Sequence, residues 1–340
     1  TSGTFSQMPD PIEFGPVGIA IEAIFYYGGT ALCIVTLPIY ILVVAVLFMS
    51  TKKQSGTSGS FYRIYMIGGI VDIAAMLNNH LLSIMPAHGF FLNFYLSSIH
   101  VGQTYLAIAW GIRYAQATTV TILAVNRLTA VVFPAKFRKM WTARNCTMAN
   151  IIQLAPAVIM GSLLYTSVFS YETNWLGGSY CVFADSDFQR FYFSIASIIQ
   201  TAFVFYIAIN YMVVFRSFRK QLRQVRSDES RLSREKKKQE DRLLYISIVV
   251  CFLEIGTWIF SLYAFVIYVD IPLRLFYMIF NILYDVYACT PPYLLIFFST
   301  PFQQRVRSFL RMPDMQSQNS VTGASSISVQ SVKSISNSRY

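Results

Sequence analysis

Four charged residues lie inside long apolar stretches of the 340-residue chain: Asp72, Arg113, Glu254 and Asp285. An ionised side chain at the centre of a bilayer costs about 2.5–3.5 kcal/mol on insertion scales, so such groups usually pair or face a cavity. Opposite charges on neighbouring helices could therefore form a buried ion pair. A cavity beside such a pair could hold a polar ligand.

The spacing of these charges suggests which of them pair. Arg113 precedes Arg127 by 14 residues, which is about 21 Å along a helix. Asp285 lies about ten residues, or about 15 Å, from the start of its apolar stretch. These depths make Arg113–Asp285 the first-choice pair and leave Glu254 as the rival partner of Arg113. Two interpretations stay open: the pair only ties helices together, or Arg113 anchors an acidic or carbonyl-bearing ligand.

Several aromatic residues stand near these charges in the sequence and could form the apolar walls of a ligand pocket. They are Tyr105, Trp110, Tyr114 and Trp258. Aromatic residues make up 16% of the chain, so packing or contact with lipid is the competing interpretation.

A further arginine, Arg127, ends an apolar stretch in the segment "VNRLTAVVFP" (125–134). The simpler interpretation is an interface arginine that extends to the lipid headgroups. The alternative is a switch residue, because a guanidinium is always charged and offers five N–H donors to carbonyl oxygens of a partner.

Motifs for catalysis or metal binding are not found. The three histidines, His80, His88 and His100, have no acid or cysteine at metal-ligand spacing. The sequence contains no P-loop, no Gly-x-Ser-x-Gly element and no zinc-protease motif. We therefore expect no enzyme, no metal and no cofactor.

The elements that must position these residues are membrane helices. The chain is 55% hydrophobic and only 13% charged, and seven stretches are long enough to span a bilayer. They cover residues 26–49, 61–85, 103–132, 147–169, 191–215, 243–268 and 275–299. The sequence predicts an all-α membrane protein with a seven-helix bundle, since helices satisfy their own backbone hydrogen bonds in lipid.

The basic residues predict the orientation of this bundle. Of the 27 Lys and Arg residues, 23 fall in the first, third and fifth loops and the C-terminal tail. The positive-inside rule then places the N-terminus outside and the C-terminus in the cytoplasm. The net charge of +11 is explained by contact with membrane lipids and does not require nucleic acid.

Three regions follow from these patterns: an extracellular N-terminal segment (1–25), a seven-helix transmembrane domain with a short amphipathic helix (26–310) and a disordered, Ser-rich cytoplasmic tail (311–340). The basic fifth loop is expected to extend helices five and six into the cytoplasm. Residues 302–310 put Phe302, Val306, Phe309 and Leu310 on one face, which predicts a short amphipathic eighth helix on the membrane.

Asn126-Arg127, with Pro134 seven residues after Arg127, resembles the Asp-Arg-Tyr element of rhodopsin-like G-protein-coupled receptors. The further pattern of Phe133-Pro134 and Trp141, with "YDVYACTPPYLLIFF" (284–298), resembles nematode serpentine chemoreceptors of class gamma. The related class V fits equally well. The resemblance covers about residues 26–310.

This resemblance implies a plasma-membrane chemoreceptor, with sensory-neuron cilia as a candidate location, that binds a small molecule and activates a heterotrimeric G protein. Arg127 would contact the inserted partner, and Glu240 and Asp241 would hold it at rest. Asn126 replaces the usual acid, which predicts raised basal activity. An arrestin-type protein would bind the phosphorylated tail.

The resemblance also implies a polar, sodium-like centre formed by Asp72 with Asp285. The sequence departs from the rhodopsin-like pattern at Gly102, which stands where those receptors carry a disulfide cysteine. Cys181 is therefore expected to be free or paired between chains. The alternative function is a seven-helix transporter or ligand-gated channel, but no internal repeat favours it.

Overall fold

The computed structural model describes residues 16–51, 57–173, 177–224, 231–263 and 273–310. Its long helices are α1 (Pro16–Thr51), α2 (Thr57–Asn79), α5 (Ile99–Val132), α7 (Ala143–Leu163), α8 (Ser186–Gln224), α9 (Arg231–Leu262) and α10 (Leu273–Phe298). Shorter ones are α3 (Met85–Ala87), α4 (Leu92–Leu96), α6 (Pro134–Met140) and α11 (Thr300–Phe309).

The seven predicted membrane segments correspond to these seven long helices. Within the described residues, six helices are long and apolar enough to cross a bilayer by themselves. A seventh span is counted when α10 is taken together with α11, which it meets at a bend of 92°. The predicted seven-helix membrane bundle is thereby confirmed.

Helix α5 lies at the centre of the bundle, where it contacts α2, α7, α8 and α9. Its contact with α7 is close because both helices carry glycine there. A Cβ atom on Gly111 would lie 2.7 Å from the Ala157 carbonyl oxygen, and one on Gly161 would lie 2.8 Å from that of Ala107. Small residues allow membrane helices to approach this closely.

Helix α2 ends in a π-helical turn, His80–Ile84, in which the Met85 N–H bonds to the His80 carbonyl. Pro86 follows directly and has no backbone N–H, so the regular hydrogen-bond ladder is interrupted there. The turn buries His80, Ser83 and Ile84. No feature of the sequence alone had indicated this turn.

A β-hairpin was also missed in the segment between α7 and α8. Strand β1 (Phe169–Thr173) pairs antiparallel with β2 (Ser179–Phe183), with Phe169 opposite Phe183. The predicted fourth helix (147–169) accordingly ends early, in a 3-10 turn over Leu164–Thr166.

Other helix boundaries differ at the ends. Helix α1 begins at Pro16, ten residues earlier than predicted, and Glu22 on it is buried. Helix α8 continues to Gln224, and α9 begins at Arg231. Both helices therefore extend into the basic fifth loop, as expected. The Ser-rich tail (311–340) lies outside the described residues.

Helix α11 confirms the predicted short eighth helix. Phe302 is fully buried and Val306 packs against the same core, whereas Phe309 and Leu310 are exposed. Hereafter, the hairpin end is the end of the bundle that carries β1 and β2, and the arginine end is the opposite one, near Arg127.

Candidate functional site

The central polar contact of the bundle joins Arg113 on α5 to α9. Its Nη2 atom donates to Glu254 Oε1 at 2.6 Å and to Thr257 Oγ1 at 2.5 Å. The guanidinium also lies over the Tyr287 ring of α10, 4.8 Å from its centroid. Glu254 is fully buried, so the two charges form an ion pair largely shielded from solvent.

The first-choice pairing of Arg113 with Asp285 is therefore wrong, and the rival partner Glu254 takes its place. The depth of Asp285 was estimated from helical rise alone, which says nothing about the direction of the side chain. Tyr287, two residues later, faces Arg113. Two residues correspond to a rotation of about 200°, so Asp285 points to the opposite side of α10.

Asp285 instead faces α1 and α2. Its Oδ1 atom accepts from Asn79 Nδ2 at 3.2 Å and lies 3.3 Å from His80 Nε2 in the π-helical turn. On the α1 side, a Cβ added to Gly29 would lie 2.7 Å from Asp285 Oδ2. These contacts tie three helices together near the hairpin end.

Asp72 forms a separate group, so a shared centre with Asp285 is not supported. Its carboxylate accepts from Tyr40 Oη at 2.5 Å and from Gln116 Nε2 at 2.8 Å. A small cavity lies beside it, bounded on the other side by Tyr287 and Pro291. Within the described residues, no three His, Cys, Asp or Glu side chains come together as metal ligands.

The four aromatic residues singled out earlier take different positions. Trp110, one turn from Arg113, packs against Phe193 at 4.8 Å and Phe280 at 5.7 Å. Trp258 turns to α8, where its Nε1 donates to Thr201 Oγ1 at 2.9 Å. Tyr105 and Tyr114 are buried in the cluster that also contains Phe169 and Cys181. Of these four residues, Trp110 is thus the one best placed to wall a pocket at Arg113.

The β-hairpin is attached to the start of α5 without a disulfide bond. Tyr171 Oη accepts from the Gly102 N–H and donates to the Ser98 carbonyl, both at 2.9 Å. A Cβ on Gly102 would lie 2.8 Å from Cys181 Sγ, so the glycine makes room for the hairpin. Cys181 is free and only 1% exposed, which leaves it poorly placed for pairing between chains.

At the arginine end, Arg127 is 4% exposed and does not extend toward solvent. Its guanidinium lies over the Phe61 ring of α2, 4.3 Å from the centroid, and Nη2 is 3.4 Å from Asn126 Oδ1. Asn126 in turn donates to Ser60 Oγ at 2.9 Å. The arginine is therefore held against the start of α2. The side chains of Glu240 and Asp241, expected to hold it, lie outside the described residues.

The start of α2 also contacts the end of α10 and α11. Tyr65 Oη donates to the Pro291 carbonyl at 2.5 Å, and Tyr62 Oη lies 2.9 Å from Ser299 Oγ at the bend. The Arg305 guanidinium of α11 lies over the Tyr62 ring. One row of aromatic side chains, Phe61, Tyr62 and Tyr65, thus lies between Arg127 and the α10–α11 bend.

The loop after α5 returns to that helix. Pro134 occupies the first turn of α6, a position that suits its fixed backbone angle. Trp141, directly after α6, donates from Nε1 to Thr129 Oγ1 at 2.8 Å. The Pro134 and Trp141 positions therefore fix this loop beside Arg127.

Several residues of these sites were not found from the sequence, among them Thr257, Phe61 and Tyr171. Thr257 could have been, because it lies three residues after Glu254 and so on the same helical face. Phe61 and Tyr171 carry no such signal, since each depends on which helices become neighbours.

Comparison with known proteins is consistent with this arrangement. Residues 30–312 match the family model described as the serpentine type 7TM GPCR chemoreceptor Srv. Serpentine receptor class V-1 of Caenorhabditis elegans is 32% identical over 190 residues, which cover 54% of this chain and 58% of that receptor. The matching model is that of class V, one of the two classes that the motifs left open. The chain therefore belongs to the Srv family of serpentine seven-helix chemoreceptors.

Proposed function

We propose that this protein binds an external small molecule in the hairpin half of the bundle and activates a heterotrimeric G protein at the arginine end. The observation that carries the proposal is that one central helix, α5, bears both buried centres. Arg113 meets Glu254 in one half, and Asn126 and Arg127 lie about 21 Å away.

Helix α9 offers a physical route between the two ends. Glu254 and Thr257 fix it to α5, and about 18 Å further along the helix Arg242 donates to Thr300 at the start of α11. A ligand that contacts the Arg113–Glu254 pair would change the packing of α9 against α5. The opposite end of α9 would then move away from α11 and uncover Arg127.

This route requires only a modest difference in binding. A ligand shifts a conformational equilibrium by the difference between its affinities for the two states. A buried ion pair is sensitive to such a change, because an approaching hydrogen-bonding group alters the contacts of both charges. Arg127, once uncovered, would offer its N–H groups to carbonyl oxygens of an inserted helix of the G protein.

We expect the hairpin end to face the outside of the cell. The protein itself would lie in the plasma membrane of a sensory neuron, with cilia as the expected site. The arginine end then faces the cytoplasm, where Arg307 and the exposed Phe309 and Leu310 of α11 would contact membrane lipids. Phosphorylation of the serines in residues 311–340 would recruit an arrestin-type protein.

The test is a ligand screen with a G-protein readout in cells that express the full chain. We expect a compound that raises the signal in wild-type cells and fails with Arg127→Ala at equal surface expression. The matched control is Arg190→Ala, which removes an exposed arginine near the hairpin. A ligand-dependent ion current that persists in Arg127→Ala, without any G-protein signal, would favour the channel instead.

A further inference from the structure

Three buried polar atoms near Arg113 have no hydrogen-bond partner of normal geometry among the described residues. They are Arg113 Nη1, Glu254 Oε2 and Tyr284 Oη. Such atoms are rare in native proteins, and each one calls for a physical explanation. They come from three helices, α5, α9 and α10, and Tyr284 lies within electrostatic range of Arg113.

The geometry of the ion pair explains two of the three atoms. Arg113 and Glu254 are joined through Nη2 and Oε1 only. A bidentate pair would form a second, parallel hydrogen bond between Nη1 and Oε2. Because this second bond is not made, the Nη1 donor and the Oε2 acceptor remain open to a ligand, with the Tyr287 hydroxyl of α10 as their neighbour.

The charge balance of the site excludes strongly charged ligands. The Arg113 and Glu254 charges compensate each other, and neither side chain is more than 10% exposed. A carboxylate ligand would be repelled by the nearby Glu254 carboxylate. An ammonium that reached Glu254 Oε2 would be repelled by the adjacent Arg113 guanidinium. Either charge would be buried without a counter-ion, which is costly.

The walls next to these atoms are aromatic. Trp110 lies one turn from Arg113 and contacts Phe280, which in turn stacks on Phe276 at 5.8 Å. Phe193 of α8 packs against the other side of the Trp110 ring system. These flat surfaces suit a small apolar or aromatic body attached to the hydrogen-bonding group.

We propose that this site recognises uncharged molecules with a carbonyl oxygen next to an N–H or O–H donor, as in a primary amide or lactam. The carbonyl accepts from Arg113 Nη1, the donor binds Glu254 Oε2, and the apolar body lies against Trp110. This inference names the ligand class for the proposed receptor function and rests on it. It replaces the acidic ligand that Arg113 alone would suggest.

The test uses the purified full chain in lipid nanodiscs and four probes that share one skeleton. They are phenylacetamide, phenylacetate, phenethylammonium and ethylbenzene, measured by ligand-observed NMR against empty nanodiscs. We expect phenylacetamide to bind at least about tenfold more tightly than the other three, the factor for about 1.4 kcal/mol.

Two variants locate the binding. The double variant Arg113→Leu/Glu254→Leu removes both charges together and should lose the preference for the amide, whereas Arg190→Leu should keep it. Thermal unfolding of each variant shows that it is folded. Equal or stronger binding of phenylacetate or phenethylammonium overturns the ligand class, and so does the lack of any signal above empty nanodiscs. An unchanged amide preference in the double variant overturns the site.

G-protein nucleotide exchange on the same preparation separates this inference from the receptor function. Amide binding without exchange would keep the site and contradict the coupling. Exchange driven by a different class of ligand would keep the coupling and contradict the site.

Discussion

At the scale of single residues, Arg127 is held by an aromatic ring of α2. The guanidinium lies 4.3 Å from the centroid of Phe61 and is buried. Such a contact contributes about 1 kcal/mol or more when it is shielded from water. We therefore infer that Phe61 helps to keep the proposed receptor in its resting state.

We predict that Phe61→Leu raises basal G-protein signalling roughly fivefold, the factor that corresponds to about 1 kcal/mol. Phe61→Tyr keeps the ring and should stay near wild type. Phe252→Leu, at a site where the side chain is 69% exposed, is the matched control. Basal second-messenger levels at equal surface expression provide the measurement. The assigned role of Phe61 is refuted if the leucine variant signals like wild type.

The Arg113–Glu254 pair gives a second prediction at this scale. Glu254→Leu leaves the Arg113 charge buried without its carboxylate, which costs about 3–5 kcal/mol. The double variant Arg113→Leu/Glu254→Leu removes both charges and should be clearly more stable than Glu254→Leu alone. Thermal unfolding in detergent measures the order. A double variant as unstable as the single one would show that the two charges do not interact.

At the scale of elements, the β-hairpin is held by packing and one tyrosine. Burial raises the pKa of the Cys181 thiol from 9.0 to about 12. Since the unfolded chain would release this proton near pH 9, the folded protein binds the proton more tightly. The stability that Cys181 contributes is therefore full below about pH 9 and is lost progressively as the pH rises toward 12.

We predict that wild type loses about 1.4 kcal/mol more stability than Cys181→Ser between about pH 7.5 and pH 10. The serine hydroxyl does not ionise in this range, so the difference isolates the thiol from other titrating groups. Thermal unfolding at both pH values provides the measurement. Equal losses in the two proteins would mean that the Cys181 thiol is not buried as described.

The helices were predictable because length and apolar composition determine which segments can cross a bilayer. Seven stretches met that requirement, and the structure places a long helix at each. The hairpin between α7 and α8 was not predictable in this way. Its strands are short, and the hairpin contacts α5 through the Tyr171 hydroxyl, a tertiary contact that the sequence does not reveal.

The candidate site shows the same limit. The sequence indicated the charges that are buried, and Arg113, Glu254, Asp72 and Asp285 are all inside the bundle. Their partners depend on the rotation of each helix about its axis. A helix that is apolar on all sides has no distinct hydrophobic face, so its sequence does not reveal this rotation. Arg113 was therefore assigned to Asp285, although Tyr287 is the α10 residue that faces it.

At the scale of the whole molecule, the basic residues predict that the hairpin end is extracellular. Ala184→Asn, at an exposed position after β2, completes an Asn-X-Ser sequon with Ser186. We expect this variant to gain a glycan, shown by a mobility shift that glycosidase removes. The natural sequon at Asn145, which lies on α7 at the arginine end, should stay unmodified. A glycan at Asn145 would reverse the orientation.

The central claim is that the two ends of the bundle are energetically coupled. Coupling is reciprocal, so a G protein that responds to the ligand must also change the affinity for that ligand. The direct measurement is the Kd of an agonist from the screen, with and without nucleotide-free G protein, on the full chain in nanodiscs. We predict about 5–150-fold tighter binding with the G protein for wild type and no change for Arg127→Ala. An agonist affinity that the G protein leaves unchanged in wild type would contradict the account.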